Sequence, residues 1–574
     1  MSLLTRLRPR LDQEHATPEA SPATRPWRTV AGRSLTVAAA VLVFLALVVP
    51  EGILRHRPDV WLPGAFLRIP IEGILGAALL IAAPQRARRP LAAVIGAGLG
   101  VLTVLKLANI GFLAVLGRRF NLVLDWPLFG DGYRALAETS GRTGAIGAAV
   151  AAVLAAVGLL AGLTLAVLRL SRLAARHRNR ARVTTTALLA AWMVFALTGT
   201  ELFPASPVAS DSTAELAKRA VVTVPAALHD RAAFAAEAKV DAFANTPPSE
   251  LLAGLRGKDV VVGVVESYGR SALSDPLMAG IVGPALADGD RQLAAAGFAA
   301  RSGYLTSSTY GGGSWLAHAS FQSGLWINNQ GRYRQLVSTK RLTLTNAFQR
   351  AGWRTVGVEP GNTVAWPEAK FYGYDEVWDS RNLGYRGPRF GWSRMPDQFT
   401  LASFQQQVYG RRHAPMMAEV TLTSSHEPWT PVPDMVDWNA VGDGTIYGPM
   451  AERGEERSVL WQNSKQVRTE YARSIKYSVG SLVSWAQRYG DKDLVLVIFG
   501  DHQPISLVSG HGASHDVPVT IVAKDPAVLD RIAGWGWSTG LNPGPSAPVW
   551  KMSDFRDRFL TAYGSRDEPT RSPH

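Results

Sequence analysis

The stretch Leu494-Val495-Leu496-Val497-Ile498-Phe499-Gly500-Asp501-His502 decides the fold class of this protein. Its uninterrupted apolar run, rich in β-branched side chains, predicts a strand that is buried on both faces, as in a parallel sheet. Open α/β sheets bind ligands at the carboxyl ends of their strands, so Asp501 and His502 are candidate ligands of a divalent metal. A strand that simply ends in a polar turn is the alternative at this point.

The chain around this strand alternates strands and helices from Lys258 onward. Further strands are predicted at 259–265, 353–358, 416–422 and 517–523, and helices at 286–297, 342–352 and 465–489. This alternation predicts an α/β domain in which helices cover both faces of one mainly parallel sheet.

Charge divides the 574-residue chain into two parts. Residues 1–203 hold 23 Lys and Arg against 10 Asp and Glu, whereas the remainder holds 37 against 36. Of the net charge of +14, +13 therefore belongs to the N-terminal part, and we expect no nucleic-acid partner. Cysteine is absent from the sequence, which excludes disulfides, thiol nucleophiles and Cys-ligated zinc.

The basic N-terminal part contains five apolar segments that we predict to be membrane spans. They cover about Leu35–Val49, Ala65–Ala83, Leu91–Leu116, Thr143–Leu168 and Val183–Phe203. Arginine clusters lie before the first segment, between the second and third, and between the fourth and fifth. Placing all three clusters in the cytoplasm satisfies the positive-inside rule. Five crossings then put everything after Phe203 outside the cytoplasm, so we predict a multi-pass protein of the cell membrane.

Composition also predicts the domain boundaries. We expect a disordered cytoplasmic tail at 1–33, a five-span domain at 34–203, a helical linker at 204–257, an extracytoplasmic catalytic domain at 258–562 and a flexible tail at 563–574.

Two residues elsewhere in the chain complete the candidate metal site. Glu266 follows an apolar strand, where a charge has no packing role, although it could instead cap a helix. Ser314 follows three glycines at the predicted start of a helix, where exposed N–H groups favour an anion such as phosphate. Ser314 is a candidate nucleophile if a metal activates its hydroxyl, and a plain N-cap serine is the alternative.

Histidine and tryptophan side chains in the strand-end loops are candidates for substrate contact. His426 and His515 could each hold a phosphoryl oxygen or protonate a leaving group, although a lone histidine is more often structural. Trp366, Lys370 and Trp429 are candidate substrate-binding residues. A tryptophan could equally belong to the core.

The motifs V-V-E-S, G-G-G-S, S-S-H-E-P-W, F-G-D-H and H-D-V-P together resemble those of the sulfatase-like membrane enzymes of the alkaline phosphatase superfamily. These include lipoteichoic acid synthases and lipid A phosphoethanolamine transferases, and the resemblance covers about residues 35–560. It implies one manganese or zinc ion held by Glu266, Ser314, Asp501 and His502. It also implies that His426 contacts the transferred phosphoryl group, and His515 resembles the histidine before the last strand of the phosphoethanolamine transferases.

The chain departs from this family's patterns in ways that bear on the substrate. Ser314 stands where threonine is usual, which the chemistry tolerates. Glycerophosphate-polymerising members have an Arg two residues after a Trp, but Trp366 is followed by Pro367 and Glu368, which argues against glycerophosphate as the substrate. The C/S-x-P-x-R motif for formylglycine is not found at Ser314, so sulfate-ester hydrolysis by that route is not expected.

The sequence therefore predicts a metal-dependent membrane phosphotransferase. It would move a phosphoryl-linked head group from a membrane phospholipid to an envelope glycan, polymer or lipid acceptor through a covalent serine intermediate. One alternative is a sulfatase-like phosphodiesterase or phosphatase that passes the group to water. A catalytically inactive, membrane-anchored binding module is the other.

Overall fold

The computed structural model describes residues 26–51, 66–116, 118–126, 128–203, 206–390, 392, 394–510 and 512–565. The described residues divide into two units, which lie within Met1–Gly111 with Tyr133–Arg219 and within Phe112–Gly132 with Ala220–His574. Most of the two predicted tails, up to residue 25 and from residue 566, lies outside the described residues.

The N-terminal part of the chain is helical. Its helices are α1 Pro26–Val48, α2 Ile71–Ala82, α3 Gln85–Leu116, α4 Leu128–Arg176 and α5 Arg178–Thr198. In the part of the chain that the structure describes, four helices are long and apolar enough to cross a membrane, and they contain Val30–Val48, Gln85–Leu113, Gly141–Arg176 and Arg178–Thr198. The N-terminal unit thus has the composition of a membrane domain.

The second predicted span, Ala65–Ala83, differs from the prediction. Its described helix, α2, has 12 residues and is about 18 Å long at 1.5 Å per residue, shorter than the roughly 30 Å hydrocarbon core. The helix cannot begin earlier because Ile69 and Pro70 are extended and pair with Ala209 and Ser210. The described residues therefore contain four helices of spanning length and a shorter apolar one, where five spans were predicted.

The predicted linker, 204–257, contains helix α6, Ser212–Glu237. The C-terminal unit that follows is built on a mixed sheet, which has nine strands within the described residues. The strands are β1 Asp259–Val265, β2 Ala299–Thr306, β3 Arg354–Glu359, β4 Glu376–Asp379, β5 Met416–Leu422, β6 Leu494–Gly500, β7 Asp516–Ala523, β8 Ser538–Thr539 and β9 Val549–Lys551.

The sheet has a parallel centre. Its order is β8-β2-β7-β6-β1-β5-β3-β4, and β9 pairs with β2. The five strands from β6 to β4 in this order are mutually parallel. β7 runs antiparallel between β6 and β2. The strand that opens the sequence analysis therefore lies at the edge of the parallel part, with β1 on one side and β7 on the other.

Helices cover both faces of this sheet. The longer ones are α7 Pro276–Ala295, α8 Ser314–Ser323, α9 Gln330–Val337, α10 Leu344–Arg350, α11 Asp397–Phe404, α12 Ser464–Tyr489 and α13 Asp554–Tyr563. Side chains of β1 alternate between two apolar clusters, with Val261 and Val265 facing α7, α11 and α12. Val260, Val262 and Val264 face α8, α10 and α13. This alternation explains why the central strands are apolar throughout, and the predicted fold class is confirmed.

Strand β2 was not predicted. Its sequence contains Arg301, Ser302 and Gly303 and has no apolar run to signal a buried strand. It forms because all eight of its residues pair with β7, from Ala299 opposite Ala523 to Thr306 opposite Asp516. Long-range pairing, rather than local propensity, makes this segment a strand.

Candidate active site

Neighbouring parallel strands bring polar side chains to one edge of the sheet. β6 is followed by Asp501 and His502, and β1 is followed by Glu266. β5 leads into the loop that carries His426, and β3 ends at Glu359. Because these strands are adjacent in the order β6-β1-β5-β3, their carboxyl ends meet at the same edge, where open α/β sheets bind ligands.

Glu266, Ser314, Asp501 and His502 converge on one point. Ser314 Oγ lies 2.9 Å from Glu266 Oε2 and 3.2 Å from His502 Nε2. His502 Nε2 lies 3.3 Å from Glu266 Oε1 and 3.5 Å from Asp501 Oδ2. Ligand atoms around a tetrahedral zinc ion are about 3.3 Å apart, given metal–ligand bonds of about 2.0–2.1 Å. The four measured separations therefore fit a shared cation.

One oxygen of Asp501 supports this fit independently. Oδ1 accepts hydrogen bonds from the backbone N–H groups of Ser267 at 2.7 Å and His502 at 2.8 Å. Oδ2 is buried and has no hydrogen-bond partner among the described residues. Leaving a buried carboxylate oxygen unpaired is costly, and a cation would satisfy it. His502 Nδ1 lies 2.8 Å from the Gln503 carbonyl oxygen, which leaves Nε2 for the same cation.

The electrostatics of the site also require a positive charge. Burial and the negative charge of Glu266 raise the pKa of Asp501 to about 6. Burial opposes a charge on His502, but Asp501 and Glu266 outweigh it and raise the pKa of His502 to about 9. Burial would raise the pKa of Glu266, yet the charge of His502 holds it below its ordinary value. The carboxylates thus draw a proton onto His502, and a divalent cation would replace that proton.

The glycine loop sets the position of Ser314. Gly311, Gly312 and Gly313 have φ angles of 70°, 145° and 84°. Only glycine adopts such angles readily, so the loop can turn sharply into α8 with Ser314 as its first residue. The N–H groups of a first helical turn have no intrahelical partners and favour an anion. An anionic group bonded to Ser314 Oγ would meet them.

Serine hydroxyls donate hydrogen bonds to the backbone carbonyl groups of two site residues, Glu266 and Asp501, and to the Glu266 carboxylate. Ser425 Oγ donates to the Glu266 carbonyl oxygen at 2.6 Å, and Ser307 Oγ donates to that of Asp501 at 2.5 Å. Ser267 Oγ donates to Glu266 Oε1 at 2.9 Å. Sequence reasoning assigned no role to these three residues, although Ser267 and Ser425 lie within the V-V-E-S and S-S-H-E-P-W motifs.

Part of the chain that carries these residues matches a known family. Residues 261–518 match the family model "Sulfatase". The chain carries a sulfatase-family domain. This domain is that of a sulfatase-like enzyme. A sequence search of curated proteins finds no match.

Solved structures similar to this enzyme include three bacterial proteins. The lipoteichoic acid synthase LtaP from Listeria monocytogenes is 14% identical with a TM-score of 0.34, over 56% of this chain and 74% of that chain. The C-terminal periplasmic domain of EcEptC from Escherichia coli is 14% identical with a TM-score of 0.36, over 55% and 86%. The lipooligosaccharide phosphoethanolamine transferase A (EptA) from Neisseria meningitidis is 12% identical with a TM-score of 0.41, over 92% and 95%.

His426 and His515 take different places in this sulfatase-like domain. His426 Nδ1 lies 2.7 Å from the Glu427 carbonyl oxygen, which leaves Nε2 as the nitrogen available to a ligand. His426 is half-buried and lies in the loop after β5, the strand next to β1 in the sheet. His515 is exposed, and its ring lies 5.1 Å from that of Tyr310, at the start of the glycine loop. The predicted roles of both histidines stay predictions.

The three predicted substrate-binding residues, Trp366, Lys370 and Trp429, differ in their surroundings. Trp429 is 2% exposed, its Nε1 donates to the Ser425 carbonyl oxygen at 2.7 Å, and its ring stacks on Trp461. A side chain buried in this way supports the His426 loop, and its predicted contact with a substrate stays a prediction. Trp366 packs against tyrosine rings in a small apolar cluster, and Lys370 lines a separate cavity of about 610 Å³. None of the four metal-site residues lines that cavity.

Trp392 is a site residue that sequence reasoning missed, because no strand end or motif marks it. Its ring stacks on His426 at 4.1 Å between centroids, with 17° between the planes. Gly361 leaves room for it, since a Cβ there would come within 2.9 Å of the indole. Trp392 is 48% exposed, so it both fixes the imidazole and offers a flat face to a ligand.

We expect Trp392→Ala to slow turnover of the sulfatase-like enzyme about fivefold, because an aromatic pair contributes about 1 kcal/mol. The loss should fall on kcat, and bound metal should not change. Steady-state kinetics with elemental analysis would check both, with Trp392→Phe as the matched control that keeps a stacked ring. Equal losses in the Phe and Ala variants would show that stacking on His426 has no role.

Proposed function

We propose that this enzyme is a metal-dependent membrane phosphotransferase. It moves a phosphoryl-linked head group from a membrane phospholipid to an envelope glycan, polymer or lipid acceptor. The observation that carries the proposal is the position of Ser314 Oγ, at a helix N-terminus and within 3.2 Å of both Glu266 and His502. A nucleophilic hydroxyl, a cation site and an anion-binding helix end are the parts that phosphoryl transfer needs.

Glu266, Ser314, Asp501 and His502 would hold one divalent ion. Three oxygen ligands and one imidazole nitrogen suit manganese or zinc. When bound, the ion would act as a Lewis acid on the phosphoryl oxygens and lower the pKa of the serine hydroxyl.

The side chains of the site account for the bonds and protons of the transfer. Ser314 Oγ attacks phosphorus, the bond from phosphorus to the lipid alkoxide breaks, and the head group is carried on Ser314. Glu266 Oε2, 2.9 Å from Ser314 Oγ, is the first acceptor of the serine proton. His426 Nε2 protonates the departing alkoxide, so a diacylglycerol-type lipid leaves as a neutral alcohol. An acceptor hydroxyl or amine then attacks phosphorus and gives its proton to His426, while Ser314 Oγ leaves and takes its own proton back from Glu266.

The proposal places the catalytic domain, residues 258–562, outside the cytoplasm. With four helices of spanning length in the described chain, this placement requires a fifth crossing, for which the predicted span that contains α2 is the candidate. The arginine clusters at 86–89 and 169–182 favour it, because both then lie in the cytoplasm. Reporter fusions after Leu170 and after Leu251 should report opposite sides of the membrane. The same side for both would refute the topology.

The function is tested by following where the head group goes. Purified full-length enzyme would receive a phospholipid labelled in its head group, with and without an envelope extract as acceptor. A transferase should release diacylglycerol and label the acceptor, and its turnover should depend on the acceptor. Release of head-group phosphate at one rate in both conditions would identify a hydrolase. If the metal-loaded enzyme turns over no phospholipid, both the transferase and the hydrolase are excluded.

A further inference from the structure

We propose that the domain binds a second divalent cation, held by His318, Glu359 and Glu419. His318 lies on α8, one turn after Ser314, and Glu359 is the last residue of β3. Glu419 lies in the middle of β5, the neighbour of β3 in the sheet. The proposal goes beyond the single ion of the proposed function and does not depend on the reaction.

The distances between the three side chains are close to those between ligands of one metal ion. One ligand atom from each lies within 4.8 Å of the others, a spacing that Glu266, Asp501 and His502 also meet. His318 Nδ1 is 3.2 Å from Glu419 Oε1, which is close to the spacing of two ligands on one ion. Ligand atoms on an ion with bonds of about 2.1 Å are about 3.0 to 4.2 Å apart. A movement of about half an ångström would therefore close the cluster around an ion.

Neighbouring side chains donate hydrogen bonds to the two carboxylates, while one ring nitrogen of His318 has no hydrogen-bond partner among the described residues. Glu419 Oε2 accepts hydrogen bonds from Tyr374 Oη at 3.0 Å and from the Gln322 amide. Thr421 Oγ1 donates to Glu359 Oε1 at 3.0 Å. His318 is 13% exposed, and its Nε2 is buried without a hydrogen-bond partner among the described residues. Such outer contacts fix ligand orientation in metal sites.

Charge balance favours a cation over a simple ion pair. Glu359 and Glu419 add two carboxylates next to the edge that already carries Glu266 and Asp501, whose charge the first ion would offset. Among the described residues, neither Glu359 nor Glu419 forms an ion pair with a Lys or Arg. His318 alone can supply a positive charge to both, which leaves a partly buried carboxylate uncompensated.

The ligand types of this cluster indicate which cation it would take. Two carboxylates and an imidazole suit zinc or manganese, with water at the open positions.

A cation bound by His318, Glu359 and Glu419 would link α8 to β3 and β5. Because Ser314 and His318 lie on the same helix, the second ion would fix the nucleophile without touching the substrate. Residual movement of Ser314 should then be smaller in the doubly loaded enzyme.

The test is metal stoichiometry, measured without any assay of activity. Full-length enzyme in detergent would be stripped with a chelator, incubated with Zn²⁺ or with Mn²⁺, desalted and subjected to elemental analysis. We expect two ions per chain for the wild type and one for Glu419→Gln, Glu359→Gln or Asp501→Asn. The double variant Asp501→Asn with Glu359→Gln should bind none, and Glu376→Gln, a strand-end control paired with Arg354, should bind two.

One ion per chain in the wild type would overturn the second site. Two ions in both Glu359→Gln and Glu419→Gln would do the same, because the ligands would then be others. Glu359→Gln guards against misfolding, since Glu359 is at a strand end and partly exposed, whereas Glu419 is 2% exposed. If Asp501→Asn is folded but has lost both ions, the two ions do not occupy separate sites, and the proposal is wrong. If the second site stands while lipid transfer fails, only the proposed function is wrong.

Discussion

Ser314→Ala should reduce transfer by about 10⁴-fold or more, because removal of a catalytic nucleophile has effects of this size. The hydroxyl is the group that both Glu266 and His502 approach, at 2.9 and 3.2 Å. The phospho-group adduct on the serine should disappear with it. Turnover of labelled phospholipid and mass spectrometry of the quenched protein would measure the two effects.

Two matched variants control this experiment. Ser314→Thr keeps the hydroxyl and should keep most of the activity and the adduct. Ser267→Ala removes a different hydroxyl, one that donates to the other oxygen of Glu266 and is 5% exposed. It should lower the rate far less, since a buried hydroxyl cannot reach phosphorus. Substantial turnover by Ser314→Ala would end the covalent mechanism.

Asp501→Asn should weaken metal binding by more than about 100-fold, above the range for residues that only support a ligand. The amide keeps an acceptor for the N–H groups of Ser267 and His502, but it replaces Oδ2 by a group that does not bind cations. Activity should fall with the bound metal. Metal titration of the stripped protein and the transfer assay would measure both.

The thermal stability of Asp501→Asn distinguishes the loss of a metal ligand from misfolding of the variant. Burial and Glu266 raise the pKa of Asp501 to about 6, so its charge destabilises the metal-free fold at neutral pH. Metal-free Asp501→Asn should therefore unfold at no lower temperature than the metal-free wild type. Asp397→Asn, at a buried Asp bonded to Ser478 and Ser424, is the control and should keep the metal. Undiminished metal in Asp501→Asn would refute the site.

The sequence by itself determined the centre of the fold. Asp259–Val265 and Met416–Leu422 were predicted with the bounds that the structure has, and the strand at Leu494 ends one residue later than predicted. These strands are apolar on both faces, so their signal is local and strong. The residues after them, Asp501, His502 and Glu266, stood out because a charge there has no packing role.

Only the tertiary structure decided which distant groups meet. Ser314 and His502 are 188 positions apart, and the sequence could propose their meeting only through motifs. Nothing local marks Glu419 as a partner of His318, because a lone Glu inside an apolar strand has no pattern of its own. Trp429 looked like a contact residue and is buried, while Trp392 had no signal and stacks on His426.

Strand direction and helix length were decided in the same way. β2 is a strand because β7 pairs with it, and β7 is antiparallel although its sequence resembles that of a parallel strand. α2 is short because Ile69 and Pro70 pair with residues 140 positions further along. Periodicity and composition depend on neighbours in the chain, whereas pairing and burial depend on neighbours in space.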